Sequence, residues 1–386
     1  MANSVFEHVV FIVGAGHSIS AGAPSTSALT EWIVDGGGPV DRSGWPESEK
    51  DALRHVRDNL KAKDPSTTYE SIYTWLWTRY FSDDPTMYRV AWDSEDPFSA
   101  IGLGPRKTTD EIAYQALRRI EDGVYMALAD ERLSVLNVPD LTLKAVRDSD
   151  VKSVTLITLN HDRLLECRLL QEAGPDAAYD DGFEGPLNGR GQWDAGSESS
   201  ARNWKRRVQL IKIHGSIDWW SPTGWNDGGL VYRNSEGPKD KSCDERPLFL
   251  VGTGPKLFQS SNLVFARQIL DAGYALARAT CVIAVGYGFG DVRMNSLWEG
   301  ASNLKNRDRR DFGYRFPTLA IEPSKDRVLA RLKNLKRAGD LDELFERADT
   351  PAEFLECKAK DADWPRCKER LSELHRLCAT KSALAH

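Results

Sequence analysis

Four short stretches of the sequence carry residue types that can bind an anion or move a proton. The first is Val13-Gly14-Ala15-Gly16-His17-Ser18. Glycines let a backbone approach a phosphate, and a helix start beyond them offers free N–H groups. The second is Thr158-Leu159-Asn160-His161-Asp162. Here Asn160 can orient a water or a sugar hydroxyl, and Asp162 can accept from an amide NH₂. Both are equally good helix caps, and at this point the two readings stand level. The third is Lys212-Ile213-His214-Gly215-Ser216, where a histidine titrating near neutral pH can take a proton from a hydroxyl. A structural histidine is the alternative, and core packing is the expected role of the neighbouring Trp219 and Trp220. The fourth is Val285-Gly286-Tyr287-Gly288-Phe289-Gly290-Asp291, a second glycine turn. Further on, Glu322 follows an apolar run, where a carboxylate can take both hydroxyls of a ribose or simply be a surface charge.

These stretches share one setting. Each ends a short apolar run of the kind that forms a buried parallel strand: Val9–Val13, Val154–Thr158, Leu210–Ile213, Leu248–Val251, Cys281–Val285 and Thr318–Ile321. Helical patterns lie between most of them, at Ala28–Val34, Leu164–Glu172, Leu263–Ala279 and Arg327–Leu335. Strands alternating with helices predict an α/β fold, a doubly wound Rossmann-like parallel sheet. In such sheets ligands bind beyond the strands' carboxyl ends, which is where all four stretches fall. Residues 1–35 and 146–325 make this sheet domain. Residues 36–145 open with Gly36-Gly37-Gly38-Pro39 and carry helical patterns, so a helical insertion is expected there. Ala177–Ser200, rich in Gly, Asp and Ser, is expected to be a long loop, and residues 326–386 a helical C-terminal segment.

The chain has 386 residues, 41% of them hydrophobic, which is enough for two or three structural units around a large core. A net charge of −6 argues against broad binding to a phosphate backbone, and direct nucleic-acid binding is not evident. The basic run Lys205-Arg206-Arg207 is too short to change that. Cys167, Cys243, Cys281, Cys357, Cys367 and Cys378 are scattered, without paired spacings that would build a zinc ribbon or a disulfide framework. Reduced thiols in a cytoplasmic protein are expected, with no metal. Met1 to His8 is polar, unlike a signal peptide, and no uncharged apolar run is long enough to span a membrane. The first glycine stretch also departs from the dehydrogenase fingerprint, because Ile19 stands at its third glycine position. Asp35, near the distance of a ribose acid, ends a helical pattern rather than a strand, which sets hydride transfer aside.

Taken in order, GAGHSISAGAP, TLNHD, KIHGS and VGYGFGD resemble the NAD-binding signature of the sirtuin family. The resemblance spans about residues 8–325. It implies that Asn160 and His214 are the catalytic pair, with Asp162 the nicotinamide contact. Gly14, Ala15, Gly16 and Ser18 would be the first NAD loop, Gly286, Tyr287 and Gly288 the later ribose–phosphate loop, and Glu322 the adenosine-ribose contact. Protein deacylases of the family carry a four-cysteine zinc module, which this chain cannot supply. They also follow the glycine loop with a proline, an acidic residue and Phe-Arg, whereas Pro24 here leads to Ser25-Thr26-Ser27. His17 replaces a residue that is usually small or apolar. Tyr69-Glu70-Ser71-Ile72 is similar to a stretch of the bacterial sirtuin-like branch. The chain thus resembles bacterial antiviral NADases such as Thoeris-type and translocase-associated sirtuin-like effectors.

That resemblance implies an NAD⁺ glycohydrolase giving nicotinamide and ADP-ribose, with NAD⁺ as substrate and no metal. Asp162 would grip the carboxamide, Asn160 place the water and His214 act as base, around an oxocarbenium-like transition state. A non-catalytic NAD or ADP-ribose sensor and a protein deacylase are the alternatives. A free, constantly active NADase would deplete its host. Restraint by homo-oligomerisation and by a separate regulatory partner, such as a nucleic-acid translocase or another sensor, is therefore expected.

Overall fold

The structure, a computed structural model, describes residues 6–81, 106–129, 133, 135–173, 179–184, 191–194, 207–221, 230–234, 246–252, 263–307, 316–322 and 352–384. Six strands form one parallel sheet: β1 (His8–Val13), β2 (Ser153–Thr158), β4 (Val208–Lys212), β8 (Cys281–Val285), β9 (Thr318–Glu322) and β10 (Ala352–Glu356). Their order across the sheet is β10-β9-β8-β1-β2-β4, and all neighbours run parallel. Counted along the chain, this is the doubly wound order, with its topological switch between β1 and β8.

Alternate residues of each strand enter opposite layers. Val9, Phe11 and Val13 of β1 face one core, with Leu156, Leu210, Ile283 and Leu319. That face is covered by α6 (Leu141–Arg147), α7 (Leu164–Ala173) and α10 (Trp364–Leu384). Val10 and Ile12 face the other core, with Ile157, Ile211, Val282 and Ala320, beneath α8 (Leu263–Arg278) and α9 (Val292–Arg307). Burial on both faces is why these strands are continuously apolar.

The strand ends are in register. Val13 pairs with Thr158 and with Val285, Thr158 with Lys212, and Val285 with Ile321. Each polar stretch therefore leaves the sheet at the same level.

Three expectations are corrected. Leu248–Val251 is not a strand of the parallel sheet, because β7 (Arg246–Phe249) belongs to a separate antiparallel sheet. This second sheet has the order β3-β6-β5-β7, with β3 (Gly191–Asp194), β5 (Gly215–Ser221) and β6 (Leu230–Arg233). Short apolar runs do not reveal which sheet they join. Strand β3 also lies within Ala177–Ser200, the stretch expected to be a loop, where Glu184 and Gln192 make an isolated bridge. The C-terminal segment is not helical throughout either. Its strand β10, Ala-Glu-Phe-Leu-Glu, has helix-forming residues yet pairs with β9, tertiary pairing overriding local preference. The helical pattern Arg327–Leu335 lies outside the described residues.

Helices α2 (Thr26–Asp35), α3 (Glu47–Lys63), α4 (Tyr69–Phe81) and α5 (Arg106–Leu128) pack together around Ile33, Leu53, Ile72, Leu76 and Ile120. Ile217, Phe249 and Val251 from the antiparallel sheet join this core, while Trp219, Leu248 and Leu250 pack toward Val264 and Phe265 of α8. The small sheet is thus wedged between the helical layer and α8, with Trp219 and Trp220 both buried. At the C-terminal end, Trp364 packs on Phe6 and Phe11 and donates to Asp148 Oδ2 at 2.7 Å. Among the described residues no helix is long and apolar enough to cross a membrane.

Candidate active site

The two glycine turns meet at the switch point. Gly14 N donates to Val285 O and Gly16 N to Gly286 O, both at 3.0 Å. A Cβ on Gly14 would stand 2.5 Å from Gly286 O, and one on Gly286 would stand 2.5 Å from His17 N. Gly286 also has φ 58°, a region costly for a residue with a side chain. These glycines are therefore required by each other, backbone against backbone, before any ligand is considered. Beyond Gly14 the chain enters the short helix α1 (Ala15–Ile19), with Ala15 exposed and Ser18 buried.

Asn160 bridges to the first turn from β2. Its Nδ2 donates to Gly14 O at 3.0 Å and to Ser18 Oγ at 2.9 Å. The Gly14 carbonyl can only accept, which fixes the orientation of the amide. Both amide hydrogens are thereby committed, and Oδ1 is left as the acceptor. Asp162, 5% exposed, takes the helix-cap role. Its Oδ1 accepts from Leu164 N at 3.0 Å at the start of α7, as a helix-starting aspartate does.

A buried lysine absent from the sequence-based candidates holds this turn. Lys212 Nζ donates to Asp162 O at 2.5 Å and pairs with Glu166 of α7. Burial pushes the Glu166 carboxyl above its usual range, against the pull of the Lys212 ammonium. The Lys-x-His spacing is the signal that was available. In a strand it sends Lys212 and His214 to one face, so a histidine aimed at a site implies a lysine beside it.

His214 is 5% exposed and follows the end of β4. Its Nδ1 lies 3.3 Å from Leu159 O and its Nε2 3.0 Å from Asp291 Oδ2. The ring of His161 stands 6.2 Å away, centroid to centroid. Asp291 ends the second glycine turn, which contains Phe289 at φ 50°, a positive value rare outside glycine. Tyr287 OH shares its one hydrogen between Asp291 O at 2.9 Å and Asn295 Oδ1 at 2.7 Å, tying the turn to α9. Glu322 Oε1 accepts from Gly288 N at 2.7 Å, so the carboxylate at the end of β9 braces the turn from the other side.

Asn160, Ser18 and Gly14 are thus in direct contact, as are Glu322 and Gly288, while His214 reaches the second turn through Asp291. His17 is fully buried, and neither ring nitrogen has a partner among the described residues. Burial lowers its pKa from 6.5 to about 4, so the ring is neutral. Beside the site, a cleft of about 190 Å³ is lined by Tyr125, Leu128, Arg163, Ile217 and Asp218, between the helical layer and the small sheet. Among the described residues no group of three His, Cys, Asp or Glu side chains is placed to hold a metal ion.

Comparison with known proteins places this geometry. Residues 154–337 match the family model of the SIR2-like domain, a span that includes Asn160, His214, the second glycine turn and Glu322 but not Gly14–Ser18. Among solved structures, a mutant Sir2 homologue in complex with 2'-O-acetyl ADP ribose aligns at a TM-score of 0.37 and 15% identity, over 96% of this chain and 93% of that one. A Sir2 homologue–NAD complex aligns at 0.35 and 14% identity, over 97% and 93%. No curated protein matches the sequence. The SIR2-like match falls on residues that gather at one edge of a doubly wound sheet, and residues 154–337 are similar to that domain.

Proposed function

We propose that this protein is an NAD⁺ hydrolase that cleaves the nicotinamide–ribose bond to release nicotinamide and ADP-ribose. The observation that carries this reading is the fixed amide of Asn160. Its Nδ2 is spent on Gly14 and Ser18, and its Oδ1 is presented at the switch point where open α/β sheets bind ligands. An acceptor held in that way can align a water or a ribose hydroxyl, which is the positioning that glycoside cleavage needs. His214 stands within the same strand-end row to take the proton. Asp162 Oδ2, which accepts no hydrogen bond among the described residues, is the atom for the carboxamide NH₂. The N–H groups that open α1 suit the pyrophosphate, and Gly286, Tyr287 and Gly288 a ribose. Glu322, beside Gly288, would meet the adenosine ribose.

Departure of nicotinamide neutralises the positive charge of its ring, so no metal has to assist the leaving group. The SIR2-like match supports NAD use, and the scattered cysteines favour hydrolysis over the deacylation of proteins that carry a zinc module. The similarity of the motifs to bacterial antiviral effectors supports a role in anti-phage defence. In that role a second copy or a regulatory protein would restrain the activity, with the helical layer of residues 36–145 as contact surface.

The test is to incubate the purified protein with NAD⁺, alone and with candidate partners, and to quantify nicotinamide and ADP-ribose. Stoichiometric release that disappears in Asn160→Ala is expected. NAD⁺ that binds and is recovered intact under every condition would make the protein a sensor. Turnover that requires an acetylated peptide would make it a deacylase.

A further inference from the structure

The cleft between the helical layer and the small sheet has no part in the hydrolysis reading, and none of its lining residues belongs to either glycine turn. Its walls are largely apolar, made by Leu128, Leu133, Val135, Leu164 and Ile217. Among them Arg163 Nε stands 2.9 Å from Asp218 Oδ2, an ion pair whose acid is 6% exposed. The approach is not aligned as a hydrogen bond, so the guanidinium donates to no group among the described residues. Asp218 Oδ1 is buried and has no hydrogen-bond partner there either, a costly state for an acceptor. Tyr125 packs its ring edge-on against Trp220, and its hydroxyl is likewise unspent among the described residues. Burial raises that phenol above its usual range, with Arg163 pulling it down and Asp218 pushing it up, so it stays a donor at neutral pH.

We propose that this cleft is a binding site for a small, neutral, single-ring amide. Its volume of about 190 Å³ exceeds the roughly 150 Å³ that holds benzene and falls short of the roughly 300 Å³ at which pockets for larger ligands begin. A six-membered ring with one small substituent fits that size, and a nucleotide does not. The apolar walls take the faces of the ring. An amide carbonyl accepts from Arg163 and Tyr125, and an amide N–H gives Asp218 Oδ1 the donor it lacks. The Arg163–Asp218 pair is neutral as a whole, so an anion would enter without a charge of its own to meet. Two sources supply such a molecule: a primary amide such as nicotinamide, the product of the proposed hydrolysis, and a cyclic amide such as the base uracil. The cleft is joined to the reaction turn from both walls, since Leu164 N donates to Asp162 Oδ1 and Ile217 N to His161 O, each at 3.0 Å. An occupant therefore bears on the turn that carries Asn160 and Asp162.

Cys167 lines the same cleft, and burial raises its thiol against the pull of Arg163, so its alkylation is slow enough to follow at mildly alkaline pH. The test is to alkylate the full-length protein with iodoacetamide and read Cys167 and the core residue Cys281 separately by mass spectrometry. Cys281 reports general opening of the fold, so the ratio of the two isolates the cleft. With nicotinamide or uracil at about 10 mM, we expect Cys167 to slow about fivefold relative to Cys281, as a Kd of about 2.5 mM implies, and benzoate to protect less. Tyr125→Phe removes only the hydroxyl and should raise the half-protecting concentration about two- to tenfold. Ala129→Trp, at an exposed position of the cleft, fills it without removing a side-chain hydrogen bond and should abolish protection. Protection by nicotinamide alone assigns the site to the released product and protection by uracil alone to a base, and both uphold it. No protection by either, stronger protection by benzoate, or protection unaltered in either variant overturns it. None of these readings needs NAD⁺ turnover, so the site stands or falls apart from the hydrolase reading.

Discussion

The two glycine turns look alike in sequence and do different work. The first, Gly14–Ser18, leads into the short helix α1, whose Gly14 cap makes no side-chain hydrogen bond. It contributes backbone and a hydroxyl to a site completed by Asn160 from β2. The second, Gly286–Asp291, leads into the long helix α9 with a side-chain cap, and contributes a carboxylate that reaches His214 and a backbone N–H that donates to Glu322. Their common glycines are explained by mutual packing, so the glycine pattern by itself reports a close approach of backbones. What each turn does is set by the residues after the glycines: a hydroxyl in one, a carboxylate in the other.

The sharpest break in this comparison is to delete the side chains each turn positions. Asn160→Ala removes the group held by the first turn and His214→Ala the group held by the second. Each should lower nicotinamide release by about 10²–10⁴-fold. The double variant should be no worse than about the poorer single one, because both groups serve one transition state. Losses that multiply would separate the two turns functionally. Single-turnover release of nicotinamide gives the comparison directly.

The next effect concerns the glycines. Gly286→Ala should cost about 2–4 kcal/mol, from left-handed backbone strain and forced separation of the turns. Gly290→Ala, in the same motif but with nothing within 4 Å of its added carbon, should stay within about 0.5 kcal/mol of the parent. Urea midpoints for the pair measure the contrast, and equal costs would refute the packing account of the motif.

A third effect isolates His17, which belongs only to the first turn. Its folded pKa of about 4 lies below the unfolded value of 6.5. The resulting penalty is absent above pH 6.5, grows as pH falls, and is complete near pH 4, where it amounts to about 3 kcal/mol. His17→Leu should abolish that slope in stability between pH 6.5 and 4. It should also stabilise the protein by about 1–2 kcal/mol at pH 7, where two buried nitrogens lack partners among the described residues. An unchanged slope in denaturation at pH 7, 5.5 and 4.5 would show that the ring is charged in the native state. The smallest expected effect is none: prolonged chelation should alter neither turnover nor thermal stability. Loss of both, with zinc recovered from the protein, would restore the deacylase comparison.

Much of the parallel sheet is legible in the sequence, because strands buried on both faces must be continuously apolar and must end where the chain turns polar. Val13, Thr158, Val285 and Ile321 mark those ends without ambiguity. The antiparallel sheet is not legible in the same way. The run Leu248–Val251 resembles a parallel strand because α8 buries Leu248 and Leu250 while the helical layer buries Phe249 and Val251, a setting the sequence does not show. Strand β10 is hidden for the opposite reason, since Glu and Ala carry a helical preference that the open edge of β9 overrides. In the site, Asn160 and His214 stand out by residue type and by their place after a strand. Asp291 and Lys212 do not, because a capping aspartate and a strand lysine are common, and only the fold brings one to His214 and the other to Asp162.

The register of the strand ends has a consequence for how the protein comes into being. The central strand β1, at residues 8–13, is made before both of its partners, which lie at residues 153–158 and 281–285. Parallel strands so far apart in the chain pair late and slowly. A ribosome that has released only the first half of the chain therefore carries Gly14 without Gly286 and Asn160 without His214. Each fragment lacks the other wall of its crevice. Whatever chemistry this edge performs can begin only once residues 281–291 have joined it.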